Sequence, residues 1–196
     1  MENKINRILE KIGLLNIVLE PVIDIQRIIE LENKMNVKFP DSYVAYLTKL
    51  QNGGSMGKLN KNGPYYGIYS LEESITENNK WEVDIIKKFE LMEDVEKDEN
   101  NELDYLDGTI PICEFGCGVF FRLIINGNKS GEIIAITIDD KEIGDGSYLS
   151  GYYFMNVDIL TFYENWLDRK IENNDKLINA YYSFLEFGKN IKYKLY

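Results

Sequence analysis

Phe39-Pro40-Asp41-Ser42-Tyr43-Val44-Ala45-Tyr46-Leu47-Thr48-Lys49-Leu50-Gln51-Asn52-Gly53-Gly54 spells a complete short helix with both of its ends written in. Pro40 fits at or just before the first turn, where a missing N–H leaves no bond unmade, and Asp41 or Ser42 can accept from an orphan amide. Tyr43, Tyr46, Leu47 and Leu50 fall at i, i+3, i+4 and i+7, a single apolar stripe. Asn52-Gly53-Gly54 stops the helix, since glycine enters the left-handed region without a Cβ clash and asparagine tolerates it.

Upstream, Ile5, Ile8, Leu9 and Ile12 define a first amphipathic helix with Gly13 as its stop. Leu14 to Val22, broken by Pro21, is an arm or linker, and Asp24 caps a helix carrying Ile25, Ile28, Ile29, Glu32 and Met35. Downstream, a polar loop over 55–64 leads to Tyr65-Tyr66-Gly67-Ile68-Tyr69, a strand by its aromatic and β-branched content. Ser70-Leu71-Glu72-Glu73 is a capping box, and Trp81, Ile85, Ile86 and Phe89 continue a helical stripe toward Met92. Ile110-Pro111-Ile112 opens a strand over Thr109–Cys113, which leads through Glu114-Phe115-Gly116 to a second over Cys117–Ile125. Asn126-Gly127 marks a hairpin turn, and Glu132–Ile138 reads as a central strand covered on both faces. Asn156 or Asp158 caps a helix whose Leu160, Tyr163, Trp166 and Leu167 form a core stripe, and a last helix surrounds Leu177 to Leu185.

The 196 residues, 44% hydrophobic and 13% aromatic, suit a single folded domain over 1–196. No run approaches the ~20 apolar residues that span a bilayer, and the charged N-terminus carries no signal pattern, so a cytoplasmic protein is expected. The chain contains no histidine. That removes Ser-His-Asp and Cys-His pairs, the commonest general base and His-based metal sites together. Cys113 and Cys117 flank a turn and could approach each other, yet in a reducing cytoplasm they read as buried thiols. No phosphate-binding glycine loop is present, and Asp139–Gly146 lacks the spacing of a calcium loop. No cofactor or metal is expected. A hydrolase needs only two carboxylates, but among 33 acidic residues a close pair arises by chance.

Charge is unevenly placed. The net formal charge is −11; residues 1–71 carry +2, residues 72–107 carry −10 from fourteen acidic and four basic side chains, and residues 108–196 carry −3. Such a balance opposes direct nucleic-acid binding, which needs a Lys/Arg patch. The acidic segment is either a solubilising insertion or an electrostatic landing site for a basic partner.

Together the capped helix, Asn-Gly-Gly, Ile-Pro-Ile and the Gly-rich turn resemble the SUKH superfamily, bacterial immunity proteins that also include a fungal cell-wall-synthesis regulator. The resemblance covers about 22–169, with an acidic insertion at about 72–107 and a helical C-terminal extension at about 170–196. Phe39 stands where leucine is usual, and Val119 where the family often has an acid, so nothing tied to that carboxylate carries over. The resemblance implies an α+β fold, a mostly antiparallel sheet of about five or six strands with helices packed on one side and at the edges. Pro40, Asn52, Gly53, Gly54, Pro111, Gly116 and Gly118 would shape the backbone. The implied activity is not catalytic: stoichiometric inhibition of a cognate bacterial toxin, of which many are nucleases. The expected contacts are Glu93, Asp94, Glu96, Asp98, Glu99, Glu102, Asp104 and Asp107. A regulatory scaffold like the fungal relative is the other reading, with a carboxylate hydrolase more remote.

Overall fold

The computed structural model describes residues 1–53, 62–90, 106–116, 119–139, 148–154 and 156–172. Among them lie helices α1 (Glu2–Leu14), α2 (Ile25–Met35), α3 (Asp41–Lys49), α4 (Leu71–Lys80) and α5 (Ile159–Ile171). Between α4 and α5 come strands β1 (Thr109–Gly116), β2 (Val119–Ile124), β3 (Ile133–Asp139) and β4 (Tyr148–Phe154). The strands pair antiparallel in sequence order, so the fold is α+β. The described residues supply four strands where five or six are expected. Tyr65–Tyr69 forms no strand; Ile68 makes a single bridge to Cys113 at the β1 edge.

The starts of α2, α4 and α5 follow the sequence. Asp24 accepts from the Gln26 amide at 2.7 Å and Asp158 from the Thr161 amide at 2.7 Å. Ser70 and Glu73 close both bonds of the capping box at the start of α4. At α3, Pro40 itself is the N-cap and no side chain closes it, so neither Asp41 nor Ser42 plays that part. Gly13 lies inside α1; the chain turns at Asn16, whose φ is 52°. α4 stops at Lys80, and Trp81 to Phe89 is not helical. Its apolar residues serve two cores, Ile85 the larger and Phe89 the smaller, which one helical stripe could not do.

The alternation of β2 and β3 explains those two cores. Phe121, Leu123, Ile133 and Ala135 face one way, into a cluster with Ile5 and Ile8 of α1, Tyr43, Tyr46 and Leu47 of α3, and Phe162, Tyr163 and Leu167 of α5. A register shift in β1 after Pro111 lets Ile112 and Cys113 both join it. Ile124, Ile134 and Ile136 face the other way and pack with Val83, Phe89 and Leu106. β3 is thus covered on both faces, as its apolar run predicts. The Leu160, Tyr163, Trp166 and Leu167 stripe is core. The arm after α1 lies along α3, with Ile23 N donating to Leu47 O at 3.0 Å.

Candidate partner-binding site

Gly53 takes φ 61°, and a Cβ there would meet the Tyr69 carbonyl oxygen at 2.2 Å, so only glycine fits. α3 has already ended at Lys49, with Leu50 as its C-cap in the right-handed region, so Asn52-Gly53 turns the chain after the helix and is not what stops it. Asn52 has a separate task. Its Oδ1 accepts from Leu71 N and its Nδ2 donates to Glu72, both at 3.0 Å, tying the end of α3 to the start of α4. Pro111 sits in β1, an outer strand of the described sheet, where a missing N–H is tolerated. Gly116 ends β1 at φ 99°. Gly54, Cys117 and Gly118 lie outside the described residues, as do Glu93, Asp94, Glu96, Asp98, Glu99, Glu102 and Asp104.

What the fold does describe is the base from which the acidic segment leaves. Gly108 donates to Asp84 O at 2.9 Å, and its own carbonyl accepts from Ile125 and Asn126. Phe89 N donates to Asn126 O at 2.8 Å, and Asn126 Nδ2 to Ile86 O at 2.6 Å. Gly108 has φ +72°, and a Cβ on it would lie 2.4 Å from Phe89 N. Asp107 is buried here: it accepts from Asp84 N at 2.7 Å and pairs with Lys87 at 2.8 Å. Its role in the structure is to hold this base, while Glu82 and Glu90 remain exposed.

Around the Phe39-Pro40-Asp41 step run two adjoining clefts of about 640 and 400 Å³, sharing Pro40, Asp41 and Ser130. Their other carboxylates are engaged, Glu32 with Lys38, Glu132 with Lys129 and Asp158 with Lys4. Neither cleft therefore holds two unpaired carboxylates facing each other, the arrangement that glycoside hydrolysis uses. Cys113 is buried, its Sγ donating to Pro64 O at 3.3 Å, and burial pushes its thiol well up, away from a reactive thiolate.

Sequence inspection passed over one further residue. Arg122 stands in β2 between Phe121 and Leu123, only 4% exposed. Nε donates to Thr109 Oγ1 at 2.7 Å, and Nη2 donates to Thr109 O at 3.3 Å and to Asn78 Oδ1. Asn78 Nδ2 also donates to Thr109 O, at 2.8 Å. These acceptors are all neutral. Burial pushes the guanidinium down to about 9, with the nearby Tyr69 phenol opposing, which leaves it cationic at neutral pH. It lines a cleft of about 20 Å³ with Tyr69, Glu77, Trp81, Pro111 and Phe120. A lone arginine inside Phe120-Phe121-Arg122-Leu123-Ile124 is the sequence signal that could have pointed to it.

Among the described residues no group of His, Cys, Asp and Glu could hold a metal ion, and no helix is long and apolar enough to cross a membrane. The class defined is an α+β protein, its antiparallel sheet backed by helices and its Pro-step helix joined through Asn52 to the next. The SMI1 / KNR4 family (SUKH-1) model matches residues 23–153, and the chain belongs to that family. Comparison with curated proteins and with solved structures gave no match.

Proposed function

We propose that this protein is an immunity protein, binding a cognate bacterial toxin one to one in the cytoplasm of the producing cell and neutralising it without catalysis. A nuclease with a basic groove is the toxin that suits it. The observation that carries the reading is the concentration of charge. Residues 72–107 hold −10 of a net −11, and Ile86 and Phe89 within that stretch, with Gly108 just after it, are hydrogen-bonded to Asn126 of the β2–β3 turn. A strong field from a fixed base favours rapid, selective encounter with a cationic surface more than it raises affinity. Glu93, Asp94, Glu96, Asp98, Glu99, Glu102 and Asp104 would make the contact, and Asp107 would anchor their base. Membership of the SMI1 / KNR4 family supports a protein-binding role.

Co-expression with the toxin domain encoded beside this gene tests the reading: growth should be rescued and the two chains should co-purify. Changing Glu96, Asp98, Glu99 and Glu102 together to Gln or Asn should slow association about tenfold or more at low salt. The difference should shrink as salt rises, because exposed charges are screened over ~8 Å at physiological ionic strength. A solubility insertion predicts an unchanged on-rate at both salts.

A further inference from the structure

We propose that Arg122 anchors a single carboxylate carried by a partner's chain, an Asp or Glu side chain or a C-terminus, bound in the cleft between Tyr69, Trp81 and Phe120. Arg122 breaks a pattern. The other buried charges among the described residues are carboxylates, and each has an opposite charge beside it: Glu32 has Lys38, Asp107 has Lys87, and Glu164 has Arg7 and Lys11. Arg122 alone has no carboxylate within 4.0 Å among those residues. Leaving a buried cation without an anion is costly, so an incoming carboxylate gains what the fold itself does not supply.

The donors fit. Arg122 Nη1 and the Tyr69 hydroxyl have no hydrogen-bond partner among the described residues, and both residues line the cleft. Burial, with the Glu114 and Glu77 carboxylates, pushes the Tyr69 phenol well up, so it stays an O–H donor. A carboxylate accepts from two such donors at once. Size selects the ligand further. About 20 Å³ admits the space of a water or two, enough for the head of one side chain and too little for a drug-sized molecule. Trp81 and Phe120, whose rings pack edge to face at 5.6 Å, offer apolar walls for the methylene stem. Glu77 at the rim, paired with Lys80, disfavours a doubly charged phosphate more than a monoanion.

The test is titration of the whole protein with acetate, chloride and acetamide at constant ionic strength, following the Arg122 Nε–H signal by NMR. Acetate should give a saturable shift that chloride and acetamide do not. The capped peptide acetyl-Ala-Glu-Ala-amide should bind about tenfold tighter than acetate, since its stem meets the aromatic walls, and its Gln counterpart should not bind. Y69F, which leaves every Arg122 bond in place, should weaken acetate about fivefold. R122M should fold and lose the response; should it not fold, the wild-type and Y69F titrations decide. An Arg122 signal that ignores both acetate and the Glu peptide overturns the proposal. Equal affinity for acetate and the peptide overturns its partner-chain source and assigns the cleft to free carboxylates.

Discussion

The two faces of the sheet are built on different terms. Toward α1, α3 and α5, every β2 and β3 side chain in the larger cluster is apolar, and Phe121 lies between Tyr65, stacked at 5.3 Å, and Phe162 at 5.1 Å. On the opposite face, Pro111, Arg122 and Ile134 form one cross-strand row, and the smaller cluster shares that surface with a guanidinium, an amide and an open cleft. On the first face the strands contribute packing alone, and the polar groups buried there, Gln51 with Tyr46 and Tyr163, come from the helical layer and find partners within it; on the second, the strands themselves bury a charged group. Stability belongs mainly to the first, and the second carries the proposed carboxylate cleft, so substitutions on each should differ in kind.

The largest effect should come from Phe121→Ala. Removing a fully buried ring held between two others leaves a cavity that the strand cannot collapse around, at a cost of about 3–5 kcal/mol. Urea denaturation measures it. A loss under about 1 kcal/mol would mean that the helical face is loosely packed and the contrast between the faces is unreal. Gly53→Ala should follow, at about 2–3 kcal/mol, because the new methyl meets Tyr69 O while the residue stays at φ 61°. It also tests whether the α3–α4 junction is as rigid as the core it borders.

Asn78→Ala probes the polar face. Asn78 bridges the Arg122 guanidinium and the Thr109 carbonyl, so its loss leaves a buried charged donor short of an acceptor, at about 2 kcal/mol. R122M should cost less than Asn78→Ala, because it removes the charge instead of stranding it. The reverse order, read from the same urea curves, would make Arg122 a structural clamp first.

How much of this was legible differs by face as well. The helical face was, because α3, the capping box and the α5 stripe carry local signals: a proline step, a Ser-x-x-Glu box and regular apolar spacing. The hairpin over Asn126-Gly127 was legible for the same reason. β4 was not: Tyr148–Phe154 has Gly151 at its centre and lacks a long β-branched run, so its strand state comes from pairing with β3. The end of α4 was misread because Trp81, Ile85 and Phe89 keep helical spacing; what breaks the helix is tertiary, with Asn78 drawn to Thr109 and Glu82 turned to φ 55°. Arg122 was readable only as an oddity, since neither its burial nor its lack of an anion is a local property.

Glu164→Gln gives the smallest effect and the sharpest contrast with Arg122. Glu164 lies where α5 meets α1, its side chain 10% exposed, bonded to Arg7 at 3.0 Å and Lys11 at 2.9 Å. Burial by itself would raise its pKa, but the bonds from Arg7 and Lys11 outweigh burial and hold the carboxyl below its ordinary 4.5. The sign follows. Between that depressed value and 4.5 the unfolded chain holds the proton more tightly than the folded one, so stability rises with pH there. The contribution is therefore complete above 4.5 and disappears as pH falls through the folded value. Arg7 is half exposed and solvent screens part of the attraction, so Glu164→Gln should cost about 1 kcal/mol at neutral pH. Urea midpoints taken from about pH 7 down to about pH 3 should converge for the two proteins in acid. Curves that stay parallel would mean that Glu164 acts by shape alone, and that pairing a buried charge matters no more on the helical side than it does at Arg122.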